Sequence, residues 1–400
     1  MAEHGYIKSL DGVRAFAIVL VMSLHTGIMH FGWVGVQLFF VLSGYLITGI
    51  LWKEKNRVGP VGQKLKRFWV RRALRIFPLY FGYLFVLAVT YVVFHFPGSY
   101  GTYIPYLVTY TYNFTRGFPG WRIDPAFAHL WSLAIEEQFY LVFPLVLFLS
   151  SRRMLKVFMP VMIFAAPVIR LLLEGWLANR GYRGEQLATI VYWNTLSHVD
   201  AFFLGGLIPV FSLDKSIARP KRVLLGSLAL AFVAGLWNYL YIPDRNFFLT
   251  DLGYSFGHTE NYVFVWHYTV LNLLFASTIL FLVSVRERTV FPRWRRLLES
   301  KWLVNIGRVS YGMYIYHWIV WYYLFEDLIK PRDAVVRALL FLPYLAIVYF
   351  VASLSYRYFE AWFIRLKDVF FPEGGGKGKA VAADAAVGVG IKTEVSGGRG

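Results

Sequence analysis

The first apolar segment of this sequence contains side chains that do not suit an apolar environment. Arg14 and His25 are eleven residues apart, close to three helical turns, so a helix places both on one face with about 16 Å between them along its axis. Asp11 precedes Arg14 by three residues and falls on the same side. Imidazole titrates near neutral pH and suits the removal of a proton from a hydroxyl. The row predicts a buried face where a hydroxyl acceptor meets an anionic donor; the alternative is an arginine at the membrane boundary and a histidine that only packs.

A second group of charges is the arginine cluster in FWVRRALRIFPLY, residues 68–80. Arg71, Arg72 and Arg75 follow i, i+1, i+4 spacing, so a helix brings two of them to one face. Guanidinium groups bind phosphate oxygens through paired hydrogen bonds. The cluster predicts a site for a phosphate-bearing donor such as a nucleotide-containing thioester. The alternative is ordinary cytoplasmic positive charge that binds lipid headgroups.

Two carboxylates stand near the start of the apolar stretch HLWSLAIEEQFYLVFP, residues 129–144. Glu136 and Glu137 are adjacent, so at most one of them is expected to face the centre of a helical bundle. His129 lies one to two turns earlier. A carboxylate at this place could orient an imidazole or bind sugar hydroxyls. It could also simply stabilise the start of a helix through the macrodipole.

Two later stretches also combine polar side chains with helical spacing. SHVDAFFLGGL, residues 197–207, holds His198 and Asp200 before a glycine pair that predicts close helix packing. In GRVSYGMYIYHW, three side chains share one helical face: Ser310, Tyr314 and His317. For His317 a packing role is favoured over a catalytic one. The remaining histidines are scattered, so no metal site is predicted.

The composition indicates what kind of scaffold must hold these side chains. Hydrophobic residues are 58% of the 400 and charged residues 16%, whereas an average globular chain has about 25% charged residues. With a mean hydropathy of +0.51, the chain is predicted to be an all-α polytopic membrane protein. The excess of 41 Lys and Arg over 23 Asp and Glu then indicates orientation and contact with anionic lipid rather than nucleic-acid binding. Because the chain has no cysteine, disulfides, thiolate nucleophiles and cysteine metal sites are excluded.

Ten apolar segments reach or approach the length of roughly 20 residues that a spanning helix needs. They are 13–31, 34–52, 76–95, 131–149, 154–174, 197–213, 223–241, 262–285, 304–325 and 334–362. With the N-terminus in the cytoplasm, the loops on that side hold 22 Lys and Arg and the outer loops hold 8. This asymmetry predicts ten transmembrane helices with both termini cytoplasmic.

Two regions outside these segments have a distinct composition. Residues 96–130 are rich in Tyr, Pro and Gly. They are predicted to form either an interfacial or re-entrant lid over a cavity, or an aromatic belt that anchors the protein in the interface. Residues 372–400 lack apolar periodicity and are predicted to be a disordered Gly-rich cytoplasmic tail. Residues 1–371 then form a single transmembrane domain.

Taken together, these motifs resemble the acyltransferase-3 family of integral membrane O-acyltransferases, which acylate bacterial surface sugars and some small molecules. Six stretches occur in the same order across residues 7–325: LDGVRAFAIVLVMSLH, GVQLFFVLSGYLIT, RRALRIFPLY, WSLAIEEQFYLVFP, DAFFLGGL and GRVSYGMYIYHW. The first four, in this order, are the most specific. The resemblance implies that residues 1–371 are an acyltransferase-3-like transmembrane domain of the bacterial inner membrane.

The resemblance also implies a reaction and the residues that perform it. The donor is expected to be cytoplasmic acyl-CoA, with acetyl-CoA the expected form, and the acceptor a hydroxyl of a surface polysaccharide or its lipid-linked precursor. The essential His of the family corresponds to His25, and its first-helix Arg corresponds to Arg14. The acid of its SLxxE motif corresponds to Glu136. Its basic motif corresponds to the cluster Arg71, Arg72 and Arg75. His25 is then the general base, and the cluster binds the CoA phosphates. The family commonly has Arg two residues before Asp200, where this sequence has His198.

A transporter or flippase, for a lipid-linked sugar or a proton-coupled solute, is the alternative function. Buried His, Arg and Glu side chains also occur along proton paths. Such a protein would consume no acyl-CoA. It is expected to contain paired broken helices or inverted repeats, and the sequence displays neither.

Overall fold

A computed structural model of the chain describes residues 6–241, 248–254, 262–284, 292–331 and 333–370. These residues form helices and turns, and no β-strand occurs among them. The α-helices are α1 (Lys8–His25), α2 (Val34–Lys55), α3 (Val61–Phe94), α4 (Tyr100–Val108), α5 (Trp131–Leu149), α6 (Arg152–Asn179), α7 (Gly184–Trp193), α8 (Val199–Val210), α9 (Leu213–Ser216), α10 (Pro220–Tyr241), α11 (Phe248–Asp251), α12 (Val263–Val283), α13 (Pro292–Leu298), α14 (Lys301–Arg308), α15 (Ser310–Val320), α16 (Ala334–Ser355) and α17 (Ala361–Phe370). The predicted tail, residues 372–400, lies outside the described residues.

Shorter 3-10 and π-helical turns join these helices. The 3-10 turns are His30–Trp33, Tyr112–Gly117, Ala128–Leu130 and Thr195–His198, and the π-helical turns are Trp321–Glu326 and Tyr356–Glu360. We call the end of the bundle where α1 begins, α2 ends and α3 begins the basic end, because Lys53, Lys55 and Arg57 lie there. The opposite end, where α1 ends and α5 begins, is the far end.

Seven of the described helical stretches are long and apolar enough to cross a membrane. They are His30–Lys55, Val61–Phe94, Ala128–Leu149, Arg152–Asn179, Pro220–Tyr241, Val263–Val283 and Ala334–Leu366. The prediction of an all-α protein with several membrane helices is therefore confirmed, with seven of the ten segments long and apolar enough. The other three segments are also helical, but α1 carries Lys8, Asp11 and Arg14, α8 has 12 residues, and residues 304–325 are interrupted at Val309.

The start of α3 differs from the sequence prediction. The apolar run suggested a helix from residue 76, whereas the helix begins at Val61, directly after Pro60 in an extended conformation. Propensity and packing continue the helix beyond the apolar residues on which the prediction relied. The arginine cluster therefore lies on a helix that fixes the direction of each side chain.

α2 lies at the centre of the bundle. In the most apolar part of His30–Lys55, which contains α2, 67% of the residues are buried, whereas the corresponding share in Ala334–Leu366 is 11%. The outer helices therefore turn apolar side chains towards lipid. A Cβ atom added to Gly44 would lie 2.0 Å from the carbonyl oxygen of Phe202 on α8, and one added to Gly205 would lie 2.0 Å from that of Val41. The close packing predicted at the glycine pair is confirmed for Gly205.

Replacing Gly44 with Ala is expected to destabilise the protein, because the new methyl group would force α2 and α8 apart. Overpacking of this kind costs about 1–3 kcal/mol, which should lower the melting temperature of the purified protein in detergent. The matched control is Gly226→Ala on α10, where an added Cβ has no atom within 4 Å. Equal melting temperatures for the two variants would contradict the close approach of the two helices.

The segment 96–130 packs into the far end of the bundle. Tyr100 is buried and donates a hydrogen bond to the carbonyl of Leu84 at 2.7 Å, and Tyr80 donates to the carbonyl of Leu107 at 2.8 Å. Buried tyrosines thus fix α4 against α3, and the segment is more than an aromatic belt at the surface. None of its residues lines the cavity described next, so its use as a lid stays a prediction.

Candidate active site

A cavity of about 110 Å³ lies between α1, α2, α3, α5 and α15, and Arg75 in its lining is exposed. Its polar and charged lining consists of Arg14, Ser43, Arg72, Arg75, Ser132, Glu136, Glu137, Tyr140, Ser310, Tyr311 and Tyr314. This volume holds a few water molecules or a small acyl group but is too small for a whole nucleotide. Charged side chains inside a membrane bundle are costly and mark functional sites.

The arginines of the cavity differ in their partners. Arg14 donates to Asp11 Oδ1 at 2.6 Å, and Arg72 donates to the hydroxyl of Tyr140 at 2.6 Å. Arg75 forms no hydrogen bond or salt bridge with any described residue. The positive charges of Arg14 and Arg72 lie close enough to repel its guanidinium. Its guanidinium is therefore the one best placed to accept an anionic ligand.

The arginine cluster divides in a way that the spacing alone did not indicate. Arg72 and Arg75 line the cavity, three residues apart on α3, whereas Arg71 is half-buried and does not line it. Two of the three arginines do share a face, as predicted. The pair that faces the cavity is Arg72 and Arg75, at i, i+3 spacing, and not Arg71 and Arg75, at i, i+4 spacing.

Both adjacent carboxylates reach the cavity, so the expectation that at most one would face the interior is wrong. Glu136 accepts hydrogen bonds from Ser43 on α2 and from Tyr140. Glu137 acts electrostatically on Tyr80 of α3. The physical reason is that the cavity extends around α5 from α2 to α3 and receives side chains about 100° apart. No hydrogen bond joins Glu136 to His25 among the described residues.

His25 lies outside this cavity, at the far end of α1. Its ring stacks on Trp318 with 4.0 Å between centroids, and the ring of His317 is 5.1 Å away. His129, just before α5, is 5.0 Å from His317. Arg14 and His25 both face α15, as their spacing predicts, but at opposite ends of one helix. We call His25, His129, His317 and Trp318 the histidine cluster.

Ser132 and Tyr314 separate the cavity from the histidine cluster. Their hydroxyls are 2.5 Å apart, and Tyr314 donates to the carbonyl of His129 at 3.0 Å. Both residues line the cavity, while the ring of Tyr314 also lies 5.2 Å from that of His317. The two groups of functional side chains thus lie on either side of one hydroxyl pair.

Sequence reasoning missed Arg170, which pairs with Asp200. The two side chains are 3.1 Å apart with no exposed surface, and Thr269 also donates to Asp200. His198 instead contacts Gln37 at 3.0 Å. Arg170 of α6 therefore supplies the positive charge that the family resemblance led us to expect at position 198. The available signal was a charged residue in an apolar stretch with no other charge between Lys156 and Glu174.

Metal ligation finds no support in the described part of the chain. No group of three or more His, Asp or Glu side chains there converges in a way that could hold a metal ion. The three rings of the histidine cluster are close together but do not form such a group.

Comparison with known proteins places the chain among acyltransferases. The model of a family described as Acyltransferase domain matches residues 7–357. O-acetyltransferase OatA of Staphylococcus aureus strain NCTC 8325 is 26% identical over 382 residues, which are 90% of this chain and 57% of that protein. Peptidoglycan O-acetyltransferase OatA of Listeria monocytogenes serovar 1/2a is 28% identical over 377 residues, 89% of this chain and 55% of that protein. The chain thus spans little more than half the length of these relatives, and no solved structure matches it.

Proposed function

This chain belongs to the acyltransferase-3 family, and from that membership we propose that it is a membrane-bound O-acyltransferase. It moves an acyl group, with acetyl the expected one, from cytoplasmic acyl-CoA to a hydroxyl of a surface polysaccharide or its lipid-linked precursor. The observation that best supports this proposal is the charged cavity inside an apolar bundle, with the unpaired guanidinium of Arg75 in its lining. The names of the relatives support an acetyl donor and a glycan acceptor.

The donor is proposed to enter from the basic end. Arg72 and Arg75 bind anionic oxygens of acyl-CoA, and Arg71 adds positive charge outside the cavity. The cavity accepts only the acyl end of the donor, so most of the nucleotide stays outside. Arg14, held by Asp11, adds positive charge that helps to hold the anionic donor in the cavity.

Glu136 is proposed to be a positioning residue. It accepts the hydrogen bond of Tyr140, whose hydroxyl in turn accepts from Arg72. A carboxylate at this place therefore sets the position of a donor-binding guanidinium through one tyrosine. This role differs from the alignment of His25 that the sequence suggested.

His25 is proposed to be the general base. It takes the proton of the acceptor hydroxyl while the hydroxyl oxygen attacks the thioester carbonyl carbon. The carbon–sulfur bond then breaks, and CoA leaves as a thiolate that takes up a proton. Because Ser132 and Tyr314 lie between the cavity and His25, the acyl end must pass this pair during transfer.

Ten transmembrane helices with both termini in the cytoplasm remain part of the proposal. This topology places the basic end on the side where acyl-CoA is made available and the histidine cluster towards the outer surface. Residues 1–371 are proposed to be the transmembrane domain. Cysteine-labelling of single introduced cysteines at positions 57 and 180 would test the assignment of sides.

Replacing Arg75 with Ala is expected to raise the KM for acetyl-CoA about 10- to 100-fold, since a hydrogen bond to a charged group contributes about 1.5–3 kcal/mol. The matched control is Arg71→Ala, which removes the same charge from the same helix outside the cavity. Steady-state kinetics with varied acetyl-CoA measure both constants. An equal rise in both variants would show that the effect is general charge and not binding in the cavity.

The proposed function is tested with purified protein in lipid nanodiscs, labelled acetyl-CoA and a glycan acceptor. Protein-dependent release of CoA together with labelled glycan is expected. If neither acyl-CoA is consumed nor label transferred, the acyltransferase proposal fails and the transporter alternative takes its place.

A further inference from the structure

Two buried histidines next to His25 each have one ring nitrogen without a partner. His129 is 1% exposed and His317 is 0% exposed. Nε2 of His129 lies 3.0 Å from the carbonyl oxygen of Ile315, and Nδ1 of His317 lies 2.6 Å from that of Tyr314. Nδ1 of His129 and Nε2 of His317 form no hydrogen bond with any described residue.

The backbone contacts fix where the protons are. A carbonyl oxygen only accepts, so the nitrogen facing it must carry the hydrogen in both rings. In a neutral imidazole the other nitrogen is then a bare acceptor. His129 and His317 therefore present two buried acceptors in one cluster, and a purely structural histidine would be expected to have both nitrogens paired.

The surroundings of these two nitrogens suit a hydroxyl-bearing ligand. The rings of His129 and His317 are 5.0 Å apart, and His25 is the next ring. Trp318 stacks on His25, and Tyr314 lies beside His317. Hydroxyl groups supply the hydrogens that bare nitrogens need, and a sugar ring also has apolar faces that pack on aromatic rings. Neutral acceptors do not bind phosphate, which separates this cluster from the arginines of the cavity.

We propose that His129 and His317 are the hydroxyl-binding subsite for a saccharide acceptor. Each accepts a hydrogen bond from a sugar hydroxyl through its free nitrogen, and together they hold the reacting hydroxyl beside His25. The inference rests on the proposed function, which it deepens by locating the acceptor. The donor and the acceptor then lie on either side of Ser132 and Tyr314.

Two conservative variants separate ligand binding from structural support. In His317→Asn the amide nitrogen can take the place of Nδ1 and keep the bond to the Tyr314 carbonyl. In His129→Gln the amide nitrogen can take the place of Nε2 and keep the bond to the Ile315 carbonyl. Both variants lose the ring nitrogen that has no partner, and the amide oxygen that each introduces accepts from a different position. The control is His30→Gln at the same end of the bundle, where His30 is exposed.

Kinetics in nanodiscs should show a KM for the glycan at least tenfold higher in both variants, with the KM for acetyl-CoA and the melting temperature unchanged. The control should match the wild type in all three. An unchanged KM for the glycan in His317→Asn and His129→Gln would overturn the proposal. Water, and not a sugar hydroxyl, would then donate the hydrogen bonds to the two free nitrogens. A fall in melting temperature with both KM values altered alike would also overturn it, because the histidines would then be structural.

A binding measurement keeps this test independent of activity. A tetrasaccharide of N-acetylglucosamine is titrated into the wild type and each variant by calorimetry in nanodiscs. The wild type and the control should bind, and the two variants should bind at least tenfold more weakly. If binding follows this pattern but no acyl transfer occurs, the subsite stands and the proposed function fails. Failure of the wild type to bind, or equal binding by all variants, overturns the subsite.

Discussion

Replacing His25 with Ala is expected to lower the rate of acyl transfer at saturating substrates by about 100- to 10,000-fold, the usual contribution of a general base. The reason is that His25 is the proposed proton acceptor, at the end of α1 opposite Arg14. Because the donor site lies in the cavity and His25 does not line it, the affinity for acetyl-CoA should stay within a factor of about two. Transfer of label from acetyl-CoA measures the rate, and calorimetric titration of CoA measures binding.

His30→Ala is the control for this prediction. His30 stands five residues later in the same region, is exposed, and should transfer acyl groups at the wild-type rate. A His25→Ala protein that retains the wild-type rate would remove His25 from the role of base. A variant that loses CoA binding as well as activity would place the donor, and not the acceptor, beside His25.

Replacing Arg170 with Leu is expected to cause the largest loss of stability in the molecule, about 3–5 kcal/mol. Arg170 and Asp200 have no exposed surface, so the variant leaves a carboxylate buried without its cation. Thr269 and Asn272 still donate to Asp200, but neutral donors do not balance the charge. Loss of the folded peak on size-exclusion chromatography after a temperature ramp measures the effect.

The double variant Arg170→Leu with Asp200→Leu should recover much of this loss, because removing both charges leaves none unpaired. Arg153→Leu is the matched control, since Arg153 is exposed near the start of the same helix. It should change stability by less than about 0.5 kcal/mol. If the double variant is no more stable than Arg170→Leu alone, the burial of an unpaired charge is not the cause.

The sequence was sufficient to predict that the chain is helical and which polar residues lie within the apolar helices, and the reason is physical. In lipid the backbone has no water to bond with, so long apolar segments form helices. Each of the ten predicted segments contains helix in its described residues, and the polar residues within them stand out against an apolar background. The spacing of Arg14 and His25 also predicted correctly that both face the interior, since helical periodicity is local.

The arrangement of the site could not be predicted, because it depends on packing between helices distant in sequence. Nothing in the spacing shows that Arg72 meets Tyr140, or that Arg170 meets Asp200. The periodicity argument failed for Glu137, since it assumes a single buried direction for each helix. The free nitrogens of His129 and His317 could be identified only from the backbone partners of the other ring nitrogens, which the sequence does not indicate.

The hydroxyl pair of Ser132 and Tyr314 has a consequence for the membrane itself. Arginines and glutamates that line a cavity within a membrane helix bundle offer a potential route for ions. The charged cavity ends at this pair, and beyond it lie the imidazole and indole rings of the histidine cluster. The acyl group is small and uncharged, so it can pass the hydroxyl pair. A hydrated ion would lose its water there and would find too few polar groups to replace it. In the proposed reaction this hydroxyl pair thus keeps the bilayer electrically insulating while the acyl group is transferred.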